Sequence, residues 1–152
     1  MNSVYRRIVV PIQGSHLDTR AIDLAIAIAG RFGGCALTLV YVAEVPQHMP
    51  LDAELSDEVT DGEEILARIA AYAQAGNDTR WQRITTELLQ ARSASAAIVD
   101  EAIERGADAV VLAVENHREH GIVTQGETVP YVLKNAPCDV ILIRAMSEDG
   151  EI

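Results

Sequence analysis

Positively charged residues are scarce in this chain of 152 residues, which has 12 lysines and arginines against 23 aspartates and glutamates. The formal net charge is −11, and no stretch of the sequence gathers its few cations into a basic patch. Attraction to nucleic-acid phosphates or to anionic lipid headgroups needs clustered Lys and Arg. We therefore expect neither nucleic acid nor a membrane surface as a partner.

Long apolar runs and cysteine pairs are also missing. No apolar run approaches the roughly 18 residues of a membrane-spanning helix, so we expect no membrane insertion. Residues 1–10 lack the apolar core and the cleavage site of a signal peptide, which favours a cytoplasmic location. Cys35 and Cys138 each stand alone at the start of a predicted strand. We interpret them as small apolar residues rather than as a disulfide or part of a metal cluster.

What the chain does have is enough apolar sequence for one sizeable core, because nearly half of its residues are hydrophobic. No internal repeat or linker divides it. We predict a single domain over residues 1–146, followed by an acidic tail over residues 147–152.

Apolar strand-like segments alternate with helix-like segments along the whole chain. The strands are predicted around residues 7–12, 36–42, 84–88, 109–114 and 139–144. Helices are predicted from residue 21 to the Gly33-Gly34 pair, from Thr60 to Gly76, from Ser93 or Ser95 to Gly106, and over 128–135. This order predicts a parallel five-stranded sheet covered by helices on both faces.

The inward faces of three helices are predicted from helical spacing, with Tyr72 and Ile103 among the buried positions. Residues 44–59 contain prolines and several acids, which indicates a surface excursion and the most mobile part of the chain. The alternation of Ile84, Thr86 and Leu88 indicates an edge strand.

The last third of the sequence has the frame of a ligand-binding unit. The buried strand Ala109–Val114 is followed by a polar loop, Glu115–Gln125, then by Gly126 and the helix Thr128–Asn135. A second apolar strand begins at Asp139. In open α/β sheets, ligands bind in loops at the carboxyl ends of the strands.

Three segments of the chain resemble the universal stress protein family. Arg7–Ser15 is similar to its opening strand and turn, Ala36–Val42 to its second strand, and Val132–Val140 to its closing signature. The resemblance implies a Rossmann-like, doubly wound domain of the adenine nucleotide alpha hydrolase type. It also implies a homodimer in which the last strands pair antiparallel, and an adenine nucleotide site in the ATP-binding members.

The glycine motif of those ATP-binding members is altered in this chain. The family pattern has a glycine, two residues, a second glycine, nine residues, and a third glycine followed by Ser or Thr. These four positions fall on Ala113, Asn116, Gly126 and Glu127, so one of the four is retained. A carboxylate at Glu127, roughly 5 Å from a phosphate, would repel it by about 1 to 3 kcal/mol per charge. Pro130 removes one N–H donor from the first turn of the helix.

The family-equivalent pocket is predicted to contain ten residues, which are Pro11, Ile12, Gln13, Val42, Ala113, Asn116, Arg118, Gly126, Glu127 and Thr128. Gln13 stands where the family usually has Asp, and its amide can still bond a base edge. Arg118 could bind an anion and partly compensate for Glu127. His117 and His120, with Glu115 or Glu119, have the spacing of metal ligands, but exposed histidines in a charged loop are usually solvated, and we predict no metal.

No serine, histidine and aspartate set has a sequence context typical of nucleophilic catalysis, so we expect no enzyme and no catalytic residues. The sequence favours a homodimeric regulatory or interaction module without strong ATP binding and without a bound cofactor. It resembles the family members that accompany membrane transporters, which makes a transporter or another regulatory protein the expected partner. The alternative is a sensor that binds ATP or AMP with Mg²⁺ and hydrolyses ATP slowly at most.

Overall fold

The computed structural model describes residues 5–30, 34–76, 81–119, 122–124 and 128–146, and of residues 81, 82, 116–119 and 122–124 it describes the backbone alone. In chain order the elements are β1 (Arg7–Pro11), α1 (Asp18–Ile28), β2 (Cys35–Glu44), α2 (Ser56–Ala75), β3 (Trp81–Ala91), α3 (Ala94–Arg105), β4 (Ala109–Glu119), β5 (Ile122–Thr124), α4 (Thr128–Asn135) and β6 (Asp139–Met146).

The main sheet has the strand order β3-β2-β1-β4-β6, and all of its neighbouring strands are parallel. The predicted five-stranded parallel sheet is therefore confirmed. β3 and β6 occupy its two edges, and the edge position of β3 is the one that the alternation of Ile84, Thr86 and Leu88 predicted. Chain order reverses between β1 and β4, and a reversal of this kind opens a crevice at the carboxyl ends of the two strands.

Helices cover both faces of the sheet because side chains alternate along each strand. On one face, residues of α1 and α2 pack on Ile8, Val10, Leu37 and Leu39. On the other face, residues of α3 and α4 pack on Val9, Val40, Val110 and Leu112. Burial of these side chains, each roughly 1.5–3 kcal/mol relative to exposure, is the main stabilising contribution to the fold.

The connection between β4 and α4 differs from the prediction. Residues 115–125 were expected to form a polar loop, but β4 continues to Glu119 and pairs antiparallel with β5. The reason is the neighbouring strand, since β6 pairs with β4 as far as Asn116↔Met146 and keeps its backbone extended beyond the apolar run. The polar loop prediction is wrong for this part of the chain.

The starts and ends of the helices were predicted with mixed success. Ser93 caps α3 by accepting a hydrogen bond of 3.3 Å from the N–H of Ala96, and Gly106 ends that helix in the left-handed conformation. α1, however, ends at Ile28, before the glycine pair. α2 begins at Ser56 rather than Thr60, because Asp57 and Glu58 occupy its first turn, where carboxylates stabilise the helix dipole.

Residues 44–59 are more firmly held than their composition indicates. Val45 and Leu55 are buried with Ala43 in a small cluster of their own. The side chain of Gln90 donates hydrogen bonds to the carbonyl oxygens of Leu51 and Ala53, at 3.3 and 3.0 Å. The segment is thus fastened to the end of β3.

Two side chains predicted to face inward are exposed. Tyr72 on α2 is 40% exposed and Ile103 on α3 is 58% exposed. The hydroxyl of Tyr72 donates to Asp23 on α1 at 2.8 Å, so it joins the two helices at their surface. Cys35 is buried, Cys138 is half-buried, and both are free thiols. Within the described part of the chain, no helix has the length and hydropathy needed to cross a membrane.

Candidate functional site

The described pocket residues lie at or near the carboxyl ends of β1 and β2, on β4, and at the start of α4. β1 pairs with β4 only at Ile8↔Ala109 and Val9↔Val110, and the two strands then separate. Beyond this point Pro11 and Ile12 are buried and Gln13 is exposed. Pairing with β2 continues, because the N–H of Ile12 donates to the carbonyl oxygen of Val40 at 2.8 Å.

The remaining described pocket residues come from three other elements. Val42 lies near the end of β2, Ala113 lies on β4, and Thr128 is the first residue of α4; all three are partly buried. The parallel register places Gln13, Val42 and Ala113 near one level at the carboxyl ends of adjacent strands. The side chains of Asn116 and Arg118, together with Gly126 and Glu127, lie outside the described residues, so their predicted part in the pocket stays a prediction.

An internal carboxylate occupies the loop that follows β1. Asp18 is the first residue of α1 and is buried. Its two oxygens accept hydrogen bonds from the backbone N–H groups of Gln13, at 3.2 Å, and Gly14, at 2.8 Å. Sequence analysis did not identify this residue, although an Asp at a predicted helix start after a Gly-Ser turn is a recognisable anion position.

Two opposing effects act on the pKa of the Asp18 carboxyl. Burial raises this pKa, because removal from water disfavours the charged form. The N–H groups of Gln13, Gly14 and Ser15, together with the charge of Arg68, lower it, but burial has the larger effect. The carboxylate is therefore an anion held in place at an energetic cost.

Gly14 lets the loop pass close to α2. Its φ of +80° lies in the left-handed region that favours glycine, and a Cβ at this position would lie 2.8 Å from the Cδ1 of Ile65. The backbone that follows β1 therefore has a fixed path, and its N–H groups point at Asp18.

The motif region on β4 is a strand where the family pattern has a glycine loop. From Ala113 to Asn116, β4 is in register with β6, through Ala113↔Ile143 to Asn116↔Met146. Part of the backbone in this stretch is therefore engaged in a β-ladder. Among the described residues, no group of three or more His, Cys, Asp or Glu side chains is arranged to hold a metal ion.

Comparison with known proteins identifies the family of this chain. The sequence matches the Universal stress protein family over residues 4–144. The chain belongs to this family. It is 29% identical over 149 residues to universal stress protein MJ0531 of Methanocaldococcus jannaschii, an alignment that covers 93% of this chain and 84% of the relative.

Solved universal stress proteins share its fold. UspA from Lactobacillus plantarum is 28% identical, with a TM-score of 0.74 over 94% of this chain and all (100%) of the other. A universal stress protein from Archaeoglobus fulgidus, solved in complex with dAMP, is 20% identical, with a TM-score of 0.69 over 92% of this chain and 98% of the other. These likenesses agree with the Rossmann-like architecture described above.

Proposed function

We propose that this universal stress protein is a homodimeric regulatory module of the cytoplasm that works without strong ATP binding and without catalysis. The observation that carries the proposal is the course of β4. At the positions where the ATP-binding pattern has its first two glycines, the chain has Ala113 and Asn116 in an extended strand paired with β6. A phosphate loop instead needs backbone N–H groups that turn together towards the anion.

The loop after β1 supports the same proposal. The N–H groups of Gln13 and Gly14, at the amino end of α1, already donate to Asp18. A nucleotide phosphate that approached these donors would have to displace a carboxylate and would be repelled by its charge. The carboxylate of Asp18 therefore lowers the affinity of this loop for a phosphate group.

The sequence adds two unfavourable features at the end of the motif and just after it. Glu127 replaces the hydroxyl residue of the family motif, and its carboxylate opposes a phosphate. Pro130 lies in the first turn of α4 and has no N–H to donate. Each change acts against phosphate binding, and together they make tight ATP binding unexpected.

The free edge of the sheet supports a dimer. β6 pairs with β4 on one side only among the described strands, so its other side has unpaired backbone groups. Leu142 and Met146 on this strand are 36% and 41% exposed. An apolar edge strand is prone to pair with another chain, and two-fold pairing of β6 with a second copy would cover both edges at once.

Exposed apolar side chains on α4, the helix that precedes β6 in the chain, support a partner protein. Tyr131 and Leu133 on this helix are exposed. Aromatic and large apolar residues are enriched where proteins bind one another. Residues two positions apart lie on different sides of a helix, so these two side chains do not form one patch. Together with the resemblance to transporter-associated members of the family, their exposure favours a transporter or another regulatory protein as the partner.

A titration decides the nucleotide part of the proposal. Calorimetry with ATP and Mg²⁺ at neutral pH should give weak or undetectable binding. The purified protein should release no nucleotide when it is denatured. A micromolar dissociation constant, or ATP or AMP released on denaturation, would overturn this part.

One alternative function has direct support from a relative. The Archaeoglobus fulgidus protein of the same fold is solved with dAMP, which favours a nucleotide sensor. For this chain to bind ATP or AMP, with Mg²⁺, Asn116 and Arg118 would have to supply the phosphate contacts. The same calorimetric experiment distinguishes the two functions, and loss of binding in an Arg118→Gln variant would assign the phosphate contact.

A further inference from the structure

Three arginines line one cavity at the amino-terminal ends of the strands, opposite the crevice described above. The cavity has a volume of about 250 Å³ and lies between α3 and strands β1, β2 and β3. Arg7 comes from β1, Arg83 from β3 and Arg105 from the end of α3. In a chain with only 12 cations and a net charge of −11, this grouping runs against the overall composition.

Strand pairing places two of these arginines on either side of a small residue. Arg7 is in register with Ala36 on β2, and Ala36 is in register with Arg83 on β3. Neighbouring strands are about 4.8 Å apart, so the two arginine Cα atoms are about 10 Å apart. Because Ala36 has no side chain beyond Cβ, space remains between them.

The charges of Arg7 and Arg83 are available to a ligand. Arg105 is already engaged, since its Nε donates to Glu101 at 2.9 Å and its terminal nitrogen to Glu87 at 2.5 Å. In the described part of the chain, neither the Arg7 side chain nor the Arg83 side chain has a hydrogen-bond or ion-pair partner. Two guanidinium groups without a partner among the described residues therefore border one cavity.

A buried hydroxyl adds independent evidence for a ligand. Thr38 lines the cavity and is only 5% exposed, yet its hydroxyl has no hydrogen-bond partner among the described residues. Buried polar groups are nearly always hydrogen-bonded, because leaving one unpaired is costly. Thr85 lies opposite Thr38 in the register and also lines the cavity.

We propose that this cavity binds a small phosphate-bearing anion, with Arg7 and Arg83 on either side and the hydroxyl of Thr38 beneath it. Donors that converge from several directions suit a tetrahedral phosphate better than a planar carboxylate, and arginine binds phosphate through paired N–H groups. A volume of about 250 Å³ accommodates inorganic phosphate or a small phosphate monoester, and we take these as the ligand class.

One acidic residue on the lining opposes the ligand. Glu104 on α3 borders the cavity, and its side chain is exposed. The proposal therefore predicts opposite effects on anion affinity when the charge of Glu104 or that of an arginine is removed. Removing Glu104's charge should tighten anion binding, whereas removing an arginine's charge should weaken it.

The test is a titration of the full-length, ¹⁵N-labelled protein with inorganic phosphate at constant ionic strength, followed by NMR. Saturable shifts are expected at the amides of Arg7, Ala36, Thr38 and Arg83. Because hydrogen bonds to charged groups are the stronger kind, Arg83→Gln should weaken binding about tenfold or more. A matched control is Arg20→Gln, which loses one charge on the exposed surface of α1 and should change binding less than about twofold.

Two further variants extend the test. Glu104→Gln should tighten phosphate binding. Thr38→Val keeps the shape of the side chain, so it should weaken phosphate binding while raising the melting temperature of the ligand-free protein. Glycerol phosphate serves as the monoester probe, and whichever of it and inorganic phosphate binds more tightly identifies the source of the ligand.

Several outcomes would overturn the site. They are equal weakening by Arg83→Gln and Arg20→Gln, acetate binding as tight as phosphate binding, shifts that cluster at Gln13 and Ala113 instead, and no saturation at tens of millimolar phosphate. The site does not depend on the proposed function, because it lies at the other end of the sheet. ATP binding and phosphate binding can therefore succeed or fail separately.

Discussion

The carboxylate of Asp18 and the backbone N–H of Gly14 are joined by a hydrogen bond of 2.8 Å, which fastens the first turn of α1 to the loop that follows β1. The same carboxylate accepts from the N–H of Gln13. One side chain therefore fixes the backbone at the carboxyl end of β1 and places a negative charge there.

Replacing Asp18 with Ala should destabilise the protein. The variant leaves the part-buried N–H groups of Gln13 and Gly14 without their acceptor, and we expect a total loss of about 1–3 kcal/mol because water can partly replace the carboxylate. Urea denaturation of both proteins measures the change. The control is Asp61→Ala on the exposed face of α2, which should shift the free energy of unfolding by less than about 0.5 kcal/mol. Equal effects of the two substitutions would show that the Asp18 contacts contribute nothing.

The pH dependence of stability should carry the signature of a raised pKa at Asp18. Because burial raises this pKa above its ordinary value of 3.8, the folded protein takes up a proton at a higher pH than the unfolded chain. The cost of the buried charge is present at neutral pH and disappears as the pH falls through the folded-state pKa towards 3.8.

Melting temperatures of the parent and of Asp18→Asn, measured from pH 7 down to pH 4, test this sign. Over the acidic part of that range the parent should gain stability relative to the variant, which has no carboxyl to titrate. If the melting temperature of the parent instead falls relative to that of the variant as the pH decreases, the hydrogen bonds to Asp18 outweigh its burial and the pKa of Asp18 is lowered.

Gly62 should tolerate no larger residue. It lies in α2 against the sheet, and a Cβ there would be 2.6 Å from Tyr41 and 2.8 Å from Leu88. Gly62→Ala gains about 1 kcal/mol of helix propensity but forces the two side chains to move, so we expect a net loss of about 1–3 kcal/mol. Guanidinium denaturation gives the value, with Glu64→Ala on the exposed side of the same helix as the control. A more stable Gly62→Ala protein would contradict the close packing.

Restoring the glycine motif should create or strengthen phosphate binding. Ala113→Gly and Asn116→Gly allow the backbone to leave the strand, and Glu127→Ser removes the opposing charge. The triple variant should bind ATP at least tenfold more tightly than the parent in calorimetry. If the two proteins bind ATP equally, these positions do not limit its affinity, and Asp18 becomes the next position to change.

A charge on β6 should weaken the proposed dimer. Leu142→Lys places an ammonium on the exposed side of the edge strand, where Leu142 is 36% exposed, and like charges from two copies would meet across the interface. Sedimentation at micromolar concentration should show a dimer for the parent and a shift to monomer for the variant. Ile103→Lys, at an equally apolar and more exposed position on α3, should leave the dimer intact. A monomeric parent protein removes the dimer from the proposal.

Local signals in the sequence predicted the parts of the fold that local chemistry decides. The apolar runs at β1, β4 and β6 indicate buried strands, and Ser93 and Gly106 bound α3 by capping chemistry that is readable from residue type. The extension of β4 to Glu119 was missed because it depends on pairing with β6 as far as Asn116 and with β5 from there to Glu119, which polar residue types do not reveal. Of the ten predicted pocket residues, six have described side chains and the other four do not, so the pocket stays a prediction.

The grouping of Arg7 and Arg83 shows a different limit of sequence reasoning. The two residues are far apart in the chain, so no basic run marks them, and only the register of β1, β2 and β3 brings them together. Asp18 was missed for another reason, because the first helix was predicted to begin at residue 21 rather than at residue 18. Side chains that only strand pairing brings together leave no local pattern of residue types.

The length of β1 sets the distance between the charges at the two ends of the sheet. The strand has five residues, Arg7–Pro11, and at about 3.3 Å per residue its ends are about 17 Å apart. The Debye length at physiological ionic strength is about 8 Å, so exposed charges at the two ends are screened from each other. A change of an exposed charge at one end should leave the electrostatic potential at the other nearly unaltered, so surface charges at the two ends of the sheet can be varied independently.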